Sequence, residues 1–251
     1  MSDPGDDERR GGVQSVHRAL DLLEVLASRG GALGIGEIAD VTGLALPTTH
    51  RLVRTLVDRG YVRQLDDRRY ALGFGLVPLG SAAGSAVGAG TGRLLGRLVD
   101  ELGETANLAV LDGDHVAYVA QVPGRHSMRM FTEVGRRVEP HCTAVGKAIL
   151  ATMSEADARA VVARTGLPRR TTSTLTDPDG LVAELALVRE RGYALDEEEQ
   201  EVGVRCVAVV VPGTPVPLGV SVSGPAPRMT DALVSRAVPL LHLAAHHLAA
   251  G

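Results

Sequence analysis

The chain has 251 residues, of which 45% are hydrophobic, so it can hold one large or two moderate domains with well-filled cores. Aromatic residues make up only 2% and Trp is absent, which argues against a stacking platform for single-stranded nucleic acid. The formal net charge of −4 argues against non-specific binding of nucleic acid.

Charge is unevenly distributed along the chain. Residues 9–75 hold 10 arginines against 7 acidic residues, whereas residues 76–251 hold 16 cationic against 19 acidic side chains. The first eight residues contain four acids, and we expect residues 1–9 to form a disordered tail. A positive balance confined to residues 9–75 suits a module that binds duplex DNA.

Two short helices joined by a tight turn are predicted within residues 34–59. Ile35 and Ile38 begin the apolar face of the first helix, and Gly43 follows it, where a helix end favours a residue that tolerates positive φ. Pro47 suits the first turn of the second helix, because its missing N–H would be unpaired there. This pattern is typical of a helix-turn-helix, whose second helix enters the major groove of DNA.

The first exposed turns of the second helix carry side chains suited to DNA. Short polar groups can reach base edges, and arginines bind phosphates. The candidates for base edges are Thr48, Thr49 and His50, and the candidates for phosphates are Arg51 and Arg54. The alternative is an ordinary helical hairpin with a solvated arginine face.

The flanking segments favour the DNA-binding interpretation. An amphipathic helix is predicted upstream, and its apolar residues are Val13, Val16, Leu20, Leu23 and Leu26. Downstream, residues 60–65 and 69–72 alternate as two short strands around a polar turn. Three helices and a hairpin predict a winged helix-turn-helix over residues 10–74, with Arg63, Arg68 and Arg69 on the wing for phosphates or the minor groove.

Residues 75–90 are rich in Gly, Ala and Ser and predict a linker that is helical around residues 76–87, with a flexible tether as the alternative. From residue 91 onwards, strands and helices follow one another without strict βαβ alternation, which predicts an α+β domain with an antiparallel sheet. We expect strands at 105–111, 115–121, 128–132, 193–195, 204–211 and 218–223, and helices at 94–102, 155–164, 179–191 and 229–250. Residues 142–153 predict a loop that enters a further helix.

Several motifs, in this order along the chain, resemble the IclR family of bacterial transcriptional regulators. They lie at residues 15–23, 43–52, 60–62, 141–150, 191–199 and 203–208. The resemblance implies a GAF-like effector-binding and oligomerisation domain over residues 91–251. It also implies homodimers or homotetramers that bind double-stranded DNA operators as ligand-controlled repressors.

The resemblance further implies a site for a small carboxylate such as glyoxylate or pyruvate. Family members hold such a ligand with two backbone N–H groups and with the side chains of an Asp, a Cys and two Ser. The matching positions here are Ala144, Val145, Asp196, Cys206, Ser221 and Ser223. N–H groups at a helix start bind a carboxylate, and serine hydroxyls can donate to its oxygens. Each residue also has a plain structural alternative, as core, turn cap or polar filling.

The size of the effector is a separate question. We expect Met128, Met130 and Phe131 to form walls of the site, and together with the low aromatic content they favour a small acid. An aromatic acid remains the alternative, because larger pockets in this family accept one.

Two other classes of protein compete with a regulator. Cys142 beside His141, or Cys206 with a distant His, could suggest a thiol hydrolase, but nothing in the sequence indicates a lowered thiol pKa. His242 and His246 are spaced to share a zinc ion, with His247 beside them, but no third ligand class is evident. A purely structural module would not need Thr48–Arg51 at a helix start.

We therefore expect no catalytic residue, no metal and no cofactor. The two cysteines are too few for a secreted disulfide scaffold. No signal peptide and no membrane-length apolar run is visible, so we expect a cytoplasmic protein.

Overall fold

The computed structural model describes residues 13–29, 31–85, 90–130 and 134–250. The chain divides into two compact units, residues 1–86 and 87–251. The predicted tail at residues 1–9 lies outside the described residues, and so do residues 86–89 of the predicted linker.

The described part of the first unit forms three helices, a two-stranded hairpin and a fourth helix. Their bounds are α1 Gln14–Ser28, α2 Ile35–Thr42, α3 Leu46–Asp58, β1 Val62–Gln64, β2 Tyr70–Leu72 and α4 Leu76–Ser85. Strands β1 and β2 are antiparallel, with Val62 opposite Leu72. Gly43 ends α2 with φ +66°, and Pro47 lies in the first turn of α3. The predicted winged helix-turn-helix is confirmed.

The core of this unit draws one face from each of α1, α2 and α3, together with β1. Its fully buried members are Leu22, Leu26, Ile38, Val53, Leu56 and Val62. The apolar stripe predicted for α1 is wrong in part, because Val13, Val16 and Leu20 are exposed. Leu22 and Leu26 are four residues apart and share a face at 3.6 residues per turn, whereas the three exposed residues lie on another face.

The second unit is an antiparallel sheet covered on both faces by helices. In chain order its elements are α5 Thr91–Leu102, β3 Thr105–Asp112, β4 His115–Val122, β5 Arg137–Val138, a 3₁₀ helix Pro140–Cys142, α6 Ala144–Leu150, α7 Glu155–Thr165, α8 Pro178–Arg191, β6 Ala194–Glu197, β7 Val204–Val211, β8 Leu218–Pro225 and α9 Asp231–Ala250. The strand order β5-β4-β3-β8-β7-β6 is antiparallel throughout. The predicted α+β domain is confirmed.

Successive side chains of a strand point to opposite faces of the sheet, so each face contributes to a different hydrophobic core. On β7, Val207 and Val209 pack with α5 and α9, whereas Ala208 packs with α6, α7 and α8. Cys206 also packs against the α6 side. The face of the sheet under α6 therefore receives every second residue of β7, and this face holds the polar residues of interest.

The strand predicted at residues 128–132 is wrong for its described part, since Met128–Met130 has no strand structure and residues 131 and 132 lie outside the described chain. Side chains bind the carbonyl groups that a strand would need: Thr105 Oγ1 donates to Met130 O at 2.9 Å and Arg228 to Met128 O at 2.9 Å. The edge strand is instead β5. None of the described helices is both long and apolar enough to cross a membrane.

Candidate functional site

The start of helix α3 presents arginines that no described residue neutralises. His50, Arg51 and Arg54 are exposed, and Thr48 is half-buried. Over the described part of the chain, no hydrogen bond or ion pair engages the side chains of Arg51 or Arg54. Free guanidinium groups beside an exposed helix start are available to phosphate oxygens.

Thr49 does not belong to this exposed face. Its exposed fraction is 0%, and its hydroxyl donates to Ala45 O at 3.3 Å. Thr49, Val53 and Leu56 are spaced i, i+4, i+7, so Thr49 lies on the buried stripe of α3. The prediction that Thr49 contacts a base edge is therefore wrong.

The three wing arginines differ in how tightly they are held. Arg63 Nε donates to Leu72 O at 3.2 Å, and its guanidinium lies 5.1 Å from the centre of the Phe74 ring. Arg69 pairs with Asp67 at 2.7 Å. Arg68 lies exposed in the turn with φ +65°, and no described residue engages its side chain.

In the second unit, strand register brings polar residues into one row on the α6 face. Asp196 is opposite Cys206, Cys206 is opposite Ser223, and Ser223 is opposite Thr105. Directly opposed residues of antiparallel strands share a face, and Ser221 shares it because it lies two residues before Ser223. Asn107 Nδ2 donates to Ser223 Oγ at 3.0 Å, which orients that hydroxyl. The row thus combines a carboxyl group, a thiol and hydroxyl groups.

Helix α6 begins above this row. Thr143 caps the helix by accepting from Gly146 N at 3.2 Å. The N–H groups of Ala144 and Val145 belong to the first turn, where no intrahelical acceptor exists, and no described residue accepts from them. Two donors at a helix start suit a carboxylate.

Two glycines allow α6 to start in this position. A Cβ on Gly146 would collide with Pro140 O of the preceding 3₁₀ helix. A Cβ on Gly219 of β8 would collide with the side chain of Val145. The close approach of the helix start to both neighbours therefore requires the absence of side chains at these positions.

A small cavity lies between α6 and the row. Its volume, counted as the space open to the centre of a water molecule, is about 40 Å³. That is room for a few water molecules or a ligand of similar size. All six predicted effector residues line it, namely Ala144, Val145, Asp196, Cys206, Ser221 and Ser223.

The predicted walls of the cavity are only partly correct. Met130 lines it, whereas Met128 is 69% exposed and is not among its lining residues, so that prediction is wrong. Phe131 lies outside the described residues. Bonding of Thr105 to the Met130 carbonyl places Met130 beside the row, while Met128 lies on the surface.

The carboxyl group of Asp196 titrates near neutral pH. The residue is 2% exposed, and burial raises its pKa to about 7. Its Oδ1 accepts from Glu199 N at 2.7 Å and from Gln200 N at 3.4 Å, which partly opposes that shift in pKa. Both charge states of Asp196 are therefore accessible under physiological conditions.

The thiol and phenol groups in and beside the cavity stay neutral. Burial raises the pKa of the Cys206 thiol and of the Tyr118 phenol. Burial also raises the pKa of the nearby Cys142 thiol to about 12, and Cys142 Sγ donates to Gln200 Oε1 at 2.8 Å. None of these groups carries the negative charge that a thiolate nucleophile needs.

Several lining residues were missed by the sequence interpretation, chiefly Tyr118, Arg136 and Gln200. Arg136 is exposed and has no side-chain partner among the described residues. Its position follows from backbone pairing, since Tyr118 N donates to Arg136 O at 3.1 Å. No periodicity or motif marks it, because the edge strand that follows is only two residues long.

The rival sites have little support in the structure. His141 Nε2 contacts Pro168 O at 3.2 Å rather than Cys142. His247 Nδ1 contacts Leu243 O at 2.8 Å. Within the described ranges, no group of three or more His, Cys, Asp or Glu side chains could hold a metal ion.

A winged helix-turn-helix with unpaired arginines, followed by a domain with a small polar cavity, defines a DNA-binding transcriptional regulator. Residues 15–66 match the IclR helix-turn-helix domain, and residues 85–250 match the family described as bacterial transcriptional regulator IclR C-terminal. The chain therefore belongs to the IclR family.

Similar proteins cover most of the chain. It is 38% identical over 229 residues to the transcriptional repressor IclR of Escherichia coli K12, covering 88% of this chain and 83% of that protein. It is 37% identical over 228 residues to the acetate operon repressor of Salmonella typhimurium, covering 88% and 83%. The crystal structure of Thermotoga maritima IclR aligns with a TM-score of 0.78 at 29% identity, covering 94% of this chain and 97% of that one.

Proposed function

We propose that this protein is a transcriptional repressor whose affinity for its operator is controlled by a small carboxylate bound in the cavity under α6. The convergence of two helix-start N–H donors with Asp196, Cys206 and Ser221 around one small cavity carries the proposal. Residues 10–74 bind DNA, residues 75–90 link the domains, and residues 91–251 bind the effector and form the oligomer.

The DNA-binding assembly is a homodimer or homotetramer that presents paired α3 helices to successive major grooves. Thr48 and His50 contact base edges, and Arg51 and Arg54 contact phosphates. On the wing, Arg68 makes the principal contact, because Arg63 and Arg69 already have partners within the domain. Effector binding shifts the population between assemblies whose helix spacing fits or misfits the operator.

The chemistry of the cavity favours a small acid. Two N–H groups and two hydroxyls can donate to carboxylate oxygens, and Asp196 can exchange a hydrogen bond with a neighbouring oxo or hydroxyl group. A volume of about 40 Å³ suits a ligand the size of glyoxylate or pyruvate. The name of the acetate operon repressor links one relative to the metabolism of a small acid.

An aromatic acid is the second candidate for the effector. It would have to displace Met130 or Tyr118, because the present volume does not hold a ring. A cysteine-dependent hydrolase is the weaker alternative, because burial raises the pKa of both thiols. Rapid labelling of either cysteine by iodoacetamide would favour the hydrolase.

The test has two stages. A thermal-shift screen compares glyoxylate and pyruvate with benzoate-type acids, since a ligand that binds the folded state raises the melting temperature. A gel-shift assay on the protein's own upstream promoter fragment then measures operator binding with and without the best ligand. We expect binding to the fragment and a change in it with a small acid. Failure to bind the fragment under either condition would reject the regulator.

A further inference from the structure

Lys147 is the single lysine among the 26 cationic residues of the chain, and it is buried. Its exposed fraction is 2%, in the middle of α6. Its Nζ forms an ion pair with Glu199 and lies 3.7 Å from Glu184 Oε1. A buried charge is costly unless it is paired, so this ammonium group depends on the two neighbouring carboxylates. A compact ammonium also fits where the planar fork of arginine would not.

Glu199 connects this lysine to the cavity. Its backbone N–H donates to Asp196 Oδ1 at 2.7 Å. Its carbonyl accepts from Thr174 Oγ1 at 2.7 Å. Within the described chain, the second carboxylate oxygen of Glu199 has no hydrogen-bond partner. The lysine therefore holds Glu199 through its side chain while the backbone of Glu199 holds Asp196.

The same lysine belongs to the helix that supplies the proposed carboxylate donors. Lys147 follows Val145 by two residues and Ala144 by three, within a single turn of α6. The two halves of the cavity, the start of α6 and Asp196 on β6, belong to different elements of the fold. We propose that the Lys147–Glu199 ion pair is a positioning device that fixes these halves relative to each other and modulates the proton affinity of Asp196, in addition to the effect of burial. The ligand side of this inference rests on the proposed function.

The charged and titratable groups around Asp196 determine in which direction each substitution should move its pKa. The loop after β6 contributes Glu199 and Glu201, α6 contributes Lys147, and the remaining facing groups are Tyr118, Arg136, Cys142 and Cys206. Apart from burial, which dominates, Glu199 raises the pKa of Asp196 by like-charge repulsion and Lys147 lowers that pKa by attraction. Removing the charge of Glu199 should therefore lower the pKa of Asp196, and removing the charge of Lys147 should raise it.

The test titrates Asp196 directly, without ligand, in the full-length protein. Aspartate carboxyl carbons are labelled with ¹³C, and Asp196→Asn identifies the resonance by its loss. Glu199→Gln keeps an acceptor for Lys147 but removes the repulsion, so the titration midpoint should fall by about one pH unit. Glu184→Gln is the matched control, because it removes the other carboxylate beside Lys147 without touching Asp196, and it should leave the midpoint in place.

A third variant, Lys147→Met, gives the opposite charge change. Its midpoint should lie above that of Glu199→Gln, because Asp196 has lost the neighbouring cation. If this variant does not fold, the comparison of Glu199→Gln with Glu184→Gln still decides whether the ion pair affects the titration midpoint of Asp196. An unmoved midpoint in Glu199→Gln, or equal shifts in Glu199→Gln and Glu184→Gln, would overturn the inference.

A calorimetric titration with glyoxylate between pH 6 and 8 adds the ligand side. In Glu199→Gln the pH dependence of glyoxylate affinity should move by the same amount as the Asp196 midpoint. A wild-type protein that ignores glyoxylate would count against the proposed effector class, and the ligand-free titration would still support or overturn the role of the ion pair.

Discussion

The two recognition surfaces of this protein use charge in opposite ways. The DNA-binding unit leaves Arg51, Arg54 and Arg68 exposed and unpaired among the described residues, whereas the second unit buries Asp196 and Lys147 among fixed partners. A polyanion is bound by surplus cations that release counterions. A small ligand is bound by a few groups held in place and shielded from water. The first surface should therefore respond mainly to salt, and the second mainly to pH.

The largest expected effect is in the cavity. Below pH 7, where Asp196 is protonated, Asp196→Ala or Ser221→Ala should weaken glyoxylate binding by about 10- to 100-fold, because each removes a hydrogen bond to a charged ligand. Operator binding in a gel-shift assay should survive, since these residues lie in the other unit. Ser235→Ala, on the exposed side of α9, is the control. Normal responses in both cavity variants would place the effector elsewhere.

The pH dependence of ligand affinity is the next effect. With its pKa raised to about 7 by burial, Asp196 is protonated below that pH and ionised above it. The ionised form repels a carboxylate ligand, so glyoxylate affinity should fall by up to about tenfold per unit as pH rises through 7. Asp196→Asn should flatten the profile. An affinity that rises with pH would instead identify ionised Asp196 as an acceptor from a ligand hydroxyl.

The DNA surface should show a smaller, salt-dependent effect. Arg54→Ala removes one phosphate contact, so it should weaken binding to all DNA sequences alike and lower the salt slope of log K by about one. Arg159→Ala, which breaks an ion pair on the second unit, provides the matched control. An unchanged slope in Arg54→Ala would remove this residue from the phosphate contacts.

The wing offers a comparison between neighbours. Arg68→Ala should lower the salt slope more than Arg69→Ala does, because Arg69 already pairs with Asp67. Each variant removes one positive charge, and the two positions are adjacent, so the two variants have the same net charge. Equal slopes would show that the Asp67 pair opens when DNA binds.

The smallest expected effect is at Thr49. Thr49→Val keeps the volume of a fully buried side chain and loses only its bond to Ala45 O, at a cost of about 1 kcal/mol in the free energy of unfolding. Discrimination between wild-type and mismatched operators should not change. His50→Ala should reduce that discrimination, because His50 is exposed at the same helix start. Altered discrimination in Thr49→Val would return Thr49 to the base contacts.

Local patterns predicted most of the secondary structure, and the family resemblance supplied six lining residues of the cavity. Gly43 and Pro47 marked the turn because their backbone requirements are local. The errors occurred where a side chain's environment depends on distant segments. Met128 and Met130 have similar sequence surroundings, but only Met130 is held beside the cavity, by a bond from Thr105. Arg136 reaches the cavity through its pairing with β4, which no local pattern indicates.

The amino-acid order by itself determined the helix-turn-helix and the alternation of the strands, because each depends on residues only a few positions apart, and its motifs indicated the class of protein through their resemblance to a family. Tertiary structure decided which face of α3 is buried, which wing arginine is free and which groups meet under α6. The row Asp196–Cys206–Ser223–Thr105 joins the consecutive strands β6, β7 and β8 to β3, which lies far earlier in the chain, and only sheet register brings these residues together. The charge state of Asp196 was likewise decided by tertiary structure, because burial and the partners of Glu199 set it.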